Sequence, residues 1–171
     1  MKKKNLWLKT ERTNIYHPDI TDLKNFCLLL TNTEVMKYTL KSKREDEISG
    51  ELKRLIEHYN NFGFSAGSIH LKDTNKFIGR AGLFYPKNNE KATPCLACLL
   101  MPDSWKQGYG TEVLTSIISY SFDKLNCSEI FGLVHEKNMP SNKLVNKFNP
   151  IIEEVIYNNG EPFYKYIFKK T

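Results

Sequence analysis

The chain has 171 residues, a length that buries roughly two-thirds of the unfolded surface in one domain and is short for two, so a single domain over residues 1–171 is expected. Hydrophobic residues at 40% and charged residues at 26% exclude a disordered chain, and no apolar run approaches the ~18 residues of a membrane span. The formal charge of +6 is scattered, with bases alternating with acids as in residues 41–47, which argues against a nucleic-acid footprint.

Lys2-Lys3-Lys4 imitates the start of an export signal, but the sequence Asn5-Leu6-Trp7-Leu8-Lys9 interrupts apolarity before a hydrophobic stretch of about 7–15 residues can form. A cytoplasmic location without membrane or nucleic-acid partners is expected. Residues 13–17 read as a first strand, and Pro18-Asp19 opens a helix on which Ile20, Leu23, Phe26, Cys27 and Leu30 recur at helical spacing. Ser42-x-x-Glu45 has the form of a capping box, followed by an apolar stripe of Ile48, Leu52, Leu55, Ile56 and Tyr59 and a stop at Gly63.

Residues 64–71 and 76–85 shorten to a strand pattern around a turn at 72–75. Gly79 and Gly82 fall in the second strand, where close packing of a helix on the sheet is favoured over approach of a ligand. After a polar loop, residues 94–101 form another strand. Its alternation points Cys95 and Cys98 to opposite faces, so the pair is poorly placed for a disulfide or a tetrahedral metal, and no metal site is expected. Free thiols at Cys27, Cys95, Cys98 and Cys127 suit a reducing compartment.

That strand runs into the centre of the sequence, Leu-Leu-Met-Pro-Asp-Ser-Trp-Lys-Gln-Gly-Tyr-Gly-Thr-Glu-Val-Leu over residues 99–114. It reads as a strand, a glycine-rich loop and a helix N-terminus. The first four amides of a helix have no internal partner and the aligned peptide dipoles leave roughly +0.5 charge there, so an anion is the natural occupant. Gly108 and Gly110 allow it to approach the backbone. A dinucleotide fingerprint would need glycine at Val113, and a Walker loop would need Gly-Lys-Ser/Thr.

The helix at 108–125 buries Val113, Leu114, Ile117, Ile118, Phe122 and Leu125, with Glu112 complementing the dipole in its first turn. Residues 129–134 are a strand. Asn138 is a candidate N-cap with Pro140 in the first turn of a short helix whose inner side is Leu144, Val145 and Phe148. Strands at 151–157 and 163–168 flank Asn158-Asn159-Gly160, a hairpin signal. This order predicts an α+β architecture with a mixed, mostly antiparallel sheet flanked by about four helices.

Four stretches carry a family resemblance over nearly the whole chain: Thr10-Glu11-Arg12, Phe77-Ile78-Gly79, Trp105-Lys-Gln-Gly-Tyr-Gly-Thr-Glu112, and Asn138-x-x-Ser141 with Lys147. The chain resembles the GNAT superfamily of N-acetyltransferases, whose loop is Gln/Arg-x-x-Gly-x-Gly/Ala. Trp105 in the first position is similar to the branch of ribosomal-protein N-terminal acetyltransferases, where Trp precedes Gly-Lys-Gly-Tyr-Ala-Thr-Glu-Ala. The resemblance implies the GNAT fold, acetyl-CoA as acetyl donor and a primary amine as acceptor, either a protein N-terminus or a small molecule such as an aminoglycoside, polyamine or amino-acid derivative. The oligomeric state stays open.

It further implies that the pyrophosphate sits on Lys106, Gln107, Gly108, Tyr109, Gly110 and Thr111, and that the pantetheine arm pairs with Leu99, Leu100 and Met101 in the gap beside their strand. Asn138 would contact pantetheine, Ser141 would donate a proton to the leaving thiolate, and Lys143 and Lys147 would lie near the adenosine end. Cys95 stands where related branches often carry a glutamate base. Tyr85, Glu90, His135 and Glu136 remain open as substitutes. Lys147-Phe148-Asn149-Pro150 replaces the family's Lys-Leu-Gly-Phe, with Asn149 able to take the left-handed turn. Cys95 and Pro150 also admit a catalytically silent acyl-CoA-binding module.

Overall fold

The computed structural model describes residues 4–39 and 43–170. Eight strands form one sheet: β1 (Leu6–Lys9), β2 (Thr13–Tyr16), β3 (Gly67–Leu71), β4 (Phe77–Phe84), β5 (Cys95–Leu100), β6 (Glu129–His135), β7 (Ile151–Asn158) and β8 (Glu161–Lys169). Their spatial order is β1-β2-β3-β4-β5-β6-β8-β7. Every neighbouring pair is antiparallel except β5 and β6. Among the described residues five α-helices flank it: α1 (Leu23–Leu30), α2 (Thr33–Met36), α3 (Glu45–Phe62), α4 (Tyr109–Asp123) and α5 (Met139–Val145).

The expected α+β architecture is the observed one, with one helix more than anticipated. The four-residue α2 escaped the periodicity because it is barely one turn. It holds because the Asn32 side chain accepts the Glu34 and Val35 amides at 3.0 and 3.2 Å and because Val35 and Met36 are buried. The other addition is β1, which pairs Leu8 with Ile15 in β2. Leu-Trp-Leu-Lys carries too little alternation to announce a strand.

Helix α3 starts at Glu45, and its entry differs from the expected box. The Arg44 amide donates to the Glu47 carboxylate at 2.8 Å, while Ser42 lies outside the described residues. Its end is as expected: Gly63 takes φ 76° and returns its amide to Tyr59 at 2.8 Å.

The sheet has a core on each face. On one, α4 and α5 cover Ile15, Ile69, Ile78, Leu83, Ile130 and Tyr166, with Val113, Leu114 and Ile117 of α4 interleaved. On the other, α1, α2 and α3 bury Phe26, Leu29, Leu30, Ile48 and Leu52, with Leu99 and Met101 packed against them. Full burial of such a side chain contributes about 1.5–3 kcal/mol, so the two layers fix the sheet from both sides.

Gly79 and Gly82 are explained by neither reason weighed from the sequence. A Cβ at Gly79, where φ is 156°, would stand 2.2 Å from the Leu99 carbonyl oxygen, and one at Gly82 would stand 2.4 Å from Ser65 and Ala66 backbone atoms. The close approach is backbone to backbone within the sheet. Beside Gly79 the β3–β4 register slips between Ile69 and His70, a bulge that bends β4.

Candidate active site

The site begins where β5 and β6 separate. Their parallel register consists of one pair, Cys95 with Phe131, and the Phe131 amide donates to the Pro94 carbonyl at 3.0 Å. Beyond it the strands diverge and leave a wedge-shaped gap beside residues 96–100. The Met101 amide donates to the Ile78 carbonyl at 2.8 Å. By antiparallel alternation, Leu99 and Met101 therefore turn their backbone groups to β4, and Cys98 and Leu100 turn theirs into the gap. Of the expected trio Leu99, Leu100 and Met101, the Leu100 backbone faces the gap together with that of Cys98, while Leu99 and Met101 pair with β4. The Trp105 indole already donates to the Leu100 carbonyl at 2.8 Å, tying the loop to the end of β5.

At the open end of the gap stands the N-terminus of α4. Gly108 precedes it at φ 86°. Lys106, in the place of the family's glycine, holds φ 60°, a left-handed conformation uncommon for a residue with a Cβ. Gly110 packs against a neighbouring helix. It is buried, and a Cβ there would lie 2.9 Å from Leu144 of α5, so it seats α4 on α5. Gln107 donates its side-chain amide to the Asp103 carbonyl at 2.6 Å.

Arg12 completes the loop from a distance in sequence. Its Nη1 donates to the Gln107 carbonyl at 3.0 Å, its Nε to Glu112 Oε2 at 2.8 Å, and its backbone amide to Glu112 Oε1 at 2.7 Å. The guanidinium lies 4.4 Å above the centre of the Tyr109 ring, and the Thr10 hydroxyl also donates to Glu112. Burial works against ionisation of Glu112, but Thr10 and Arg12 together hold its carboxyl below the ordinary glutamate range. The motif Thr10-Glu11-Arg12 thus folds as the clasp of the glycine-rich loop. Glu112 does more than complement a dipole.

On the β6 side, Asn138 caps α5, accepting the Ser141 amide at 3.2 Å. The half-buried Ser141 hydroxyl has no hydrogen-bond partner among the described residues. Asn142, not anticipated, locks the turn between β6 and α5. It is buried, donates to the His135 and Glu136 carbonyls at 3.1 and 3.0 Å, and accepts the Tyr166 hydroxyl at 2.9 Å. Lys147 reaches the Thr111 hydroxyl at 3.3 Å. Lys143 is exposed on α5, and Asn149 takes the expected left-handed turn at φ 49°.

The candidate bases separate in space. Tyr85 follows β4 directly, beside His58 and Phe62, and burial pushes its hydroxyl up. Glu90 is exposed in the loop that follows. The Glu136 carbonyl serves Asn142. His135, last in β6, is buried at the wall of a cleft of about 270 Å³ that also takes in Tyr38, Glu161 and Phe163. His135 Nδ1 accepts the Lys137 amide at 3.1 Å, which places the ring proton on Nε2, 3.0 Å from Glu161 Oε2. The Glu161 carboxylate is held below the usual range chiefly by His135, with Lys137 adding to it. Burial pushes the Cys95 and Cys98 thiols up to about 12, so neither replaces a glutamate base.

Residues 12–149 match the acetyltransferase (GNAT) domain family. The uncharacterised N-acetyltransferase YoaA of Bacillus subtilis is 24% identical over 162 residues, covering 91% of each chain. Among solved structures, the spermidine N-acetyltransferase of Vibrio cholerae, in complex with CoA and spermine, superposes with a TM-score of 0.76 at 17% identity over 92% of this chain and 95% of that one. The Salmonella typhimurium acetyltransferase that modifies the N-terminal serine of ribosomal protein L7/L12 gives 0.77 at 12% identity over 95% and 97%. With the family domain spanning most of the chain, this protein is a member of the GNAT acetyltransferase family.

Proposed function

We propose that the protein transfers an acetyl group from acetyl-CoA to the α-amine of a protein or peptide N-terminus. Acetyl-CoA supplies the activated thioester. The residues present suit it: the α4 N-terminus with Gly108 offers amides to a pyrophosphate, and the gap-facing backbone of Cys98 with the Leu100 amide offers a strand edge to an extended chain bearing amides, the Leu100 carbonyl being held by Trp105. Tyr109 and Thr111 belong to the same first turn, with Lys106, Lys143 and Lys147 on the surrounding surface. Asn138 and Ser141 stand at the α5 end of the gap, where the free Ser141 hydroxyl is the proton donor to the departing thiolate.

The choice of acceptor rests on one observation: at the cleft, the carboxylate facing the acceptor is Glu161, already held in its ionised form by His135. Such a group orients an ammonium well but is a weak base. An α-amine near pKa 7.8 is about 15% neutral at pH 7, against about 0.04% for a lysine amine near 10.4, a difference of about 3.5 kcal/mol in deprotonation. The weak base therefore favours the α-amine over a lysine or polyamine.

The test compares pH–rate profiles for a peptide with a free N-terminus and for the same peptide acetyl-capped and carrying one lysine. The free N-terminus should react at pH 7, gain rate toward pH 8 and flatten above its own pKa. A faster capped-lysine peptide or spermidine at pH 7 would move the assignment to small or side-chain amines. Binding of acetyl-CoA without transfer to any amine would leave a silent acyl-CoA-binding module.

A further inference from the structure

The cleft at the end of β6 is asymmetric in charge. Among the described residues lining it, two lysines, Lys37 and Lys137, face one carboxylate, Glu161. Lys37 follows directly on α2 and lies 5.2 Å above the centre of the Tyr38 ring. The Tyr38 ring is in turn 5.6 Å from that of His135. Lys137 belongs to the turn between β6 and α5, close enough for its charge to act on Glu161. One carboxylate held by His135 thus shares its cleft with a lysine from each of two elements.

We infer that Lys37 and Lys137 are specificity residues that select a peptide acceptor carrying an acidic side chain within the first few residues after the reacting amine. The inference rests on the acceptor reading above. Glu161 takes the ammonium, and the lysines then meet a second, anionic group of the same acceptor. At about 270 Å³, the cleft is smaller than the roughly 300–1,000 Å³ that enclose a drug-sized ligand, and it suits a chain end with one or two side chains. A polyamine would set several positive charges against the two lysines, a like-charge arrangement that interfaces use to reject partners. Both lysines are exposed, so each contributes at the scale of a surface ion pair, about two- to fivefold in kcat/KM.

The experiment measures kcat/KM by release of the CoA thiol. The acceptors are peptides with one N-terminal residue in common and Asp-Glu, Ser-Gln or Lys-Lys at positions two and three, together with spermidine and the free amino acid. Wild type is compared with Lys37→Ala/Lys137→Ala and with Lys137→Glu, and thermal melts report folding. The expected result is an order acidic, neutral, basic, with acidic over neutral by about fivefold or more at 50 mM salt. That ratio should shrink toward one in the double variant and at 500 mM salt, and fall below one in Lys137→Glu. Equal rates for all peptides in the wild type, or a preference unchanged in the folded variants, would overturn the inference while leaving N-terminal transfer intact. Acetylation of spermidine with none of any peptide would overturn both.

Discussion

Replacing Glu112 tests whether the N-terminal turn is part of the cofactor loop. Its carboxylate, with 14% of the side chain exposed, accepts the Arg12 amide at 2.7 Å and the Thr10 hydroxyl on Oε1, and Glu112→Ala removes both bonds. At a net ~1 kcal/mol for each bond the loss is about 2 kcal/mol; the guanidinium contact is left out because solvent screens it. For a domain of this size 1 kcal/mol moves Tm by about 2–4 °C, so the variant should melt about 4–8 °C lower. Both bonds end on Oε1, so Glu112→Gln, which keeps that oxygen and the shape, should retain both and lose well under half as much. Arg12 would also cease to hold the Gln107 carbonyl. Ordering one residue's backbone again on binding costs about 1–2 kcal/mol, a five- to thirtyfold weaker Kd for acetyl-CoA. Calorimetric titration and a thermal melt read the two effects separately. Refutation would be a Glu112→Ala protein that melts within about 1 °C of wild type and binds acetyl-CoA with unchanged affinity.

Gly108→Val would impose a left-handed φ of 86° on a β-branched residue, a strain of about 1–3 kcal/mol, and fill the approach to the α4 amides; acetyl-CoA affinity should fall more than about tenfold in the same titration. Gly110→Val would instead press on Leu144, so its leading effect should be a lowered Tm. Ser141→Ala should reduce kcat by about 10- to 1,000-fold with little change in the acetyl-CoA KM if the hydroxyl donates to the thiolate, and an unchanged kcat would leave Ser141 as part of the cap. Burial lowers His17 from 6.5 to about 4, and burial lowers His58 and His70 as well. The unfolded chain then takes these protons first, so their stabilisation is complete above about pH 6.5 and drains away as pH falls toward 4. For His17 alone this is about 3 kcal/mol. The urea midpoint should drop between pH 7 and 5, and a folded His17→Gln variant should show a shallower drop; equal slopes would dispose of the assignment.

His58 shows why such groups are structural. Its Nδ1 donates to the Phe64 carbonyl at 2.8 Å and its Nε2 accepts the Tyr85 amide at 2.8 Å, so one ring nitrogen ties α3 to the segment leading into β3 and the other to the residue after β4. Protonation would cost the second bond. The Arg80–Glu51 pair behind the sheet, at 2.7 Å, is likewise committed, with Lys43 also on Glu51.

The sequence by itself determined the elements whose signals are local. Gly63 stops α3 because a left-handed residue must follow it, Asn138 caps α5 with its own side chain, and Asn158-Asn159-Gly160 closes a hairpin with two consecutive residues at positive φ. The glycine-rich junction before α4 was equally legible, since the anion preference belongs to any free helix N-terminus. Tertiary structure decided what depends on neighbours distant in sequence. Strand alternation against β4, and not position in the motif, selects Leu100 and Cys98 for the gap and removes Leu99 and Met101. Gly108 and Gly110 look alike in the motif, yet one is held by its φ and the other by Leu144. Arg12 meets Gln107 across 95 residues, and Glu161 meets His135 across 26. No periodicity in a single segment encodes such pairings, because they exist only once the sheet has fixed which strand ends lie side by side.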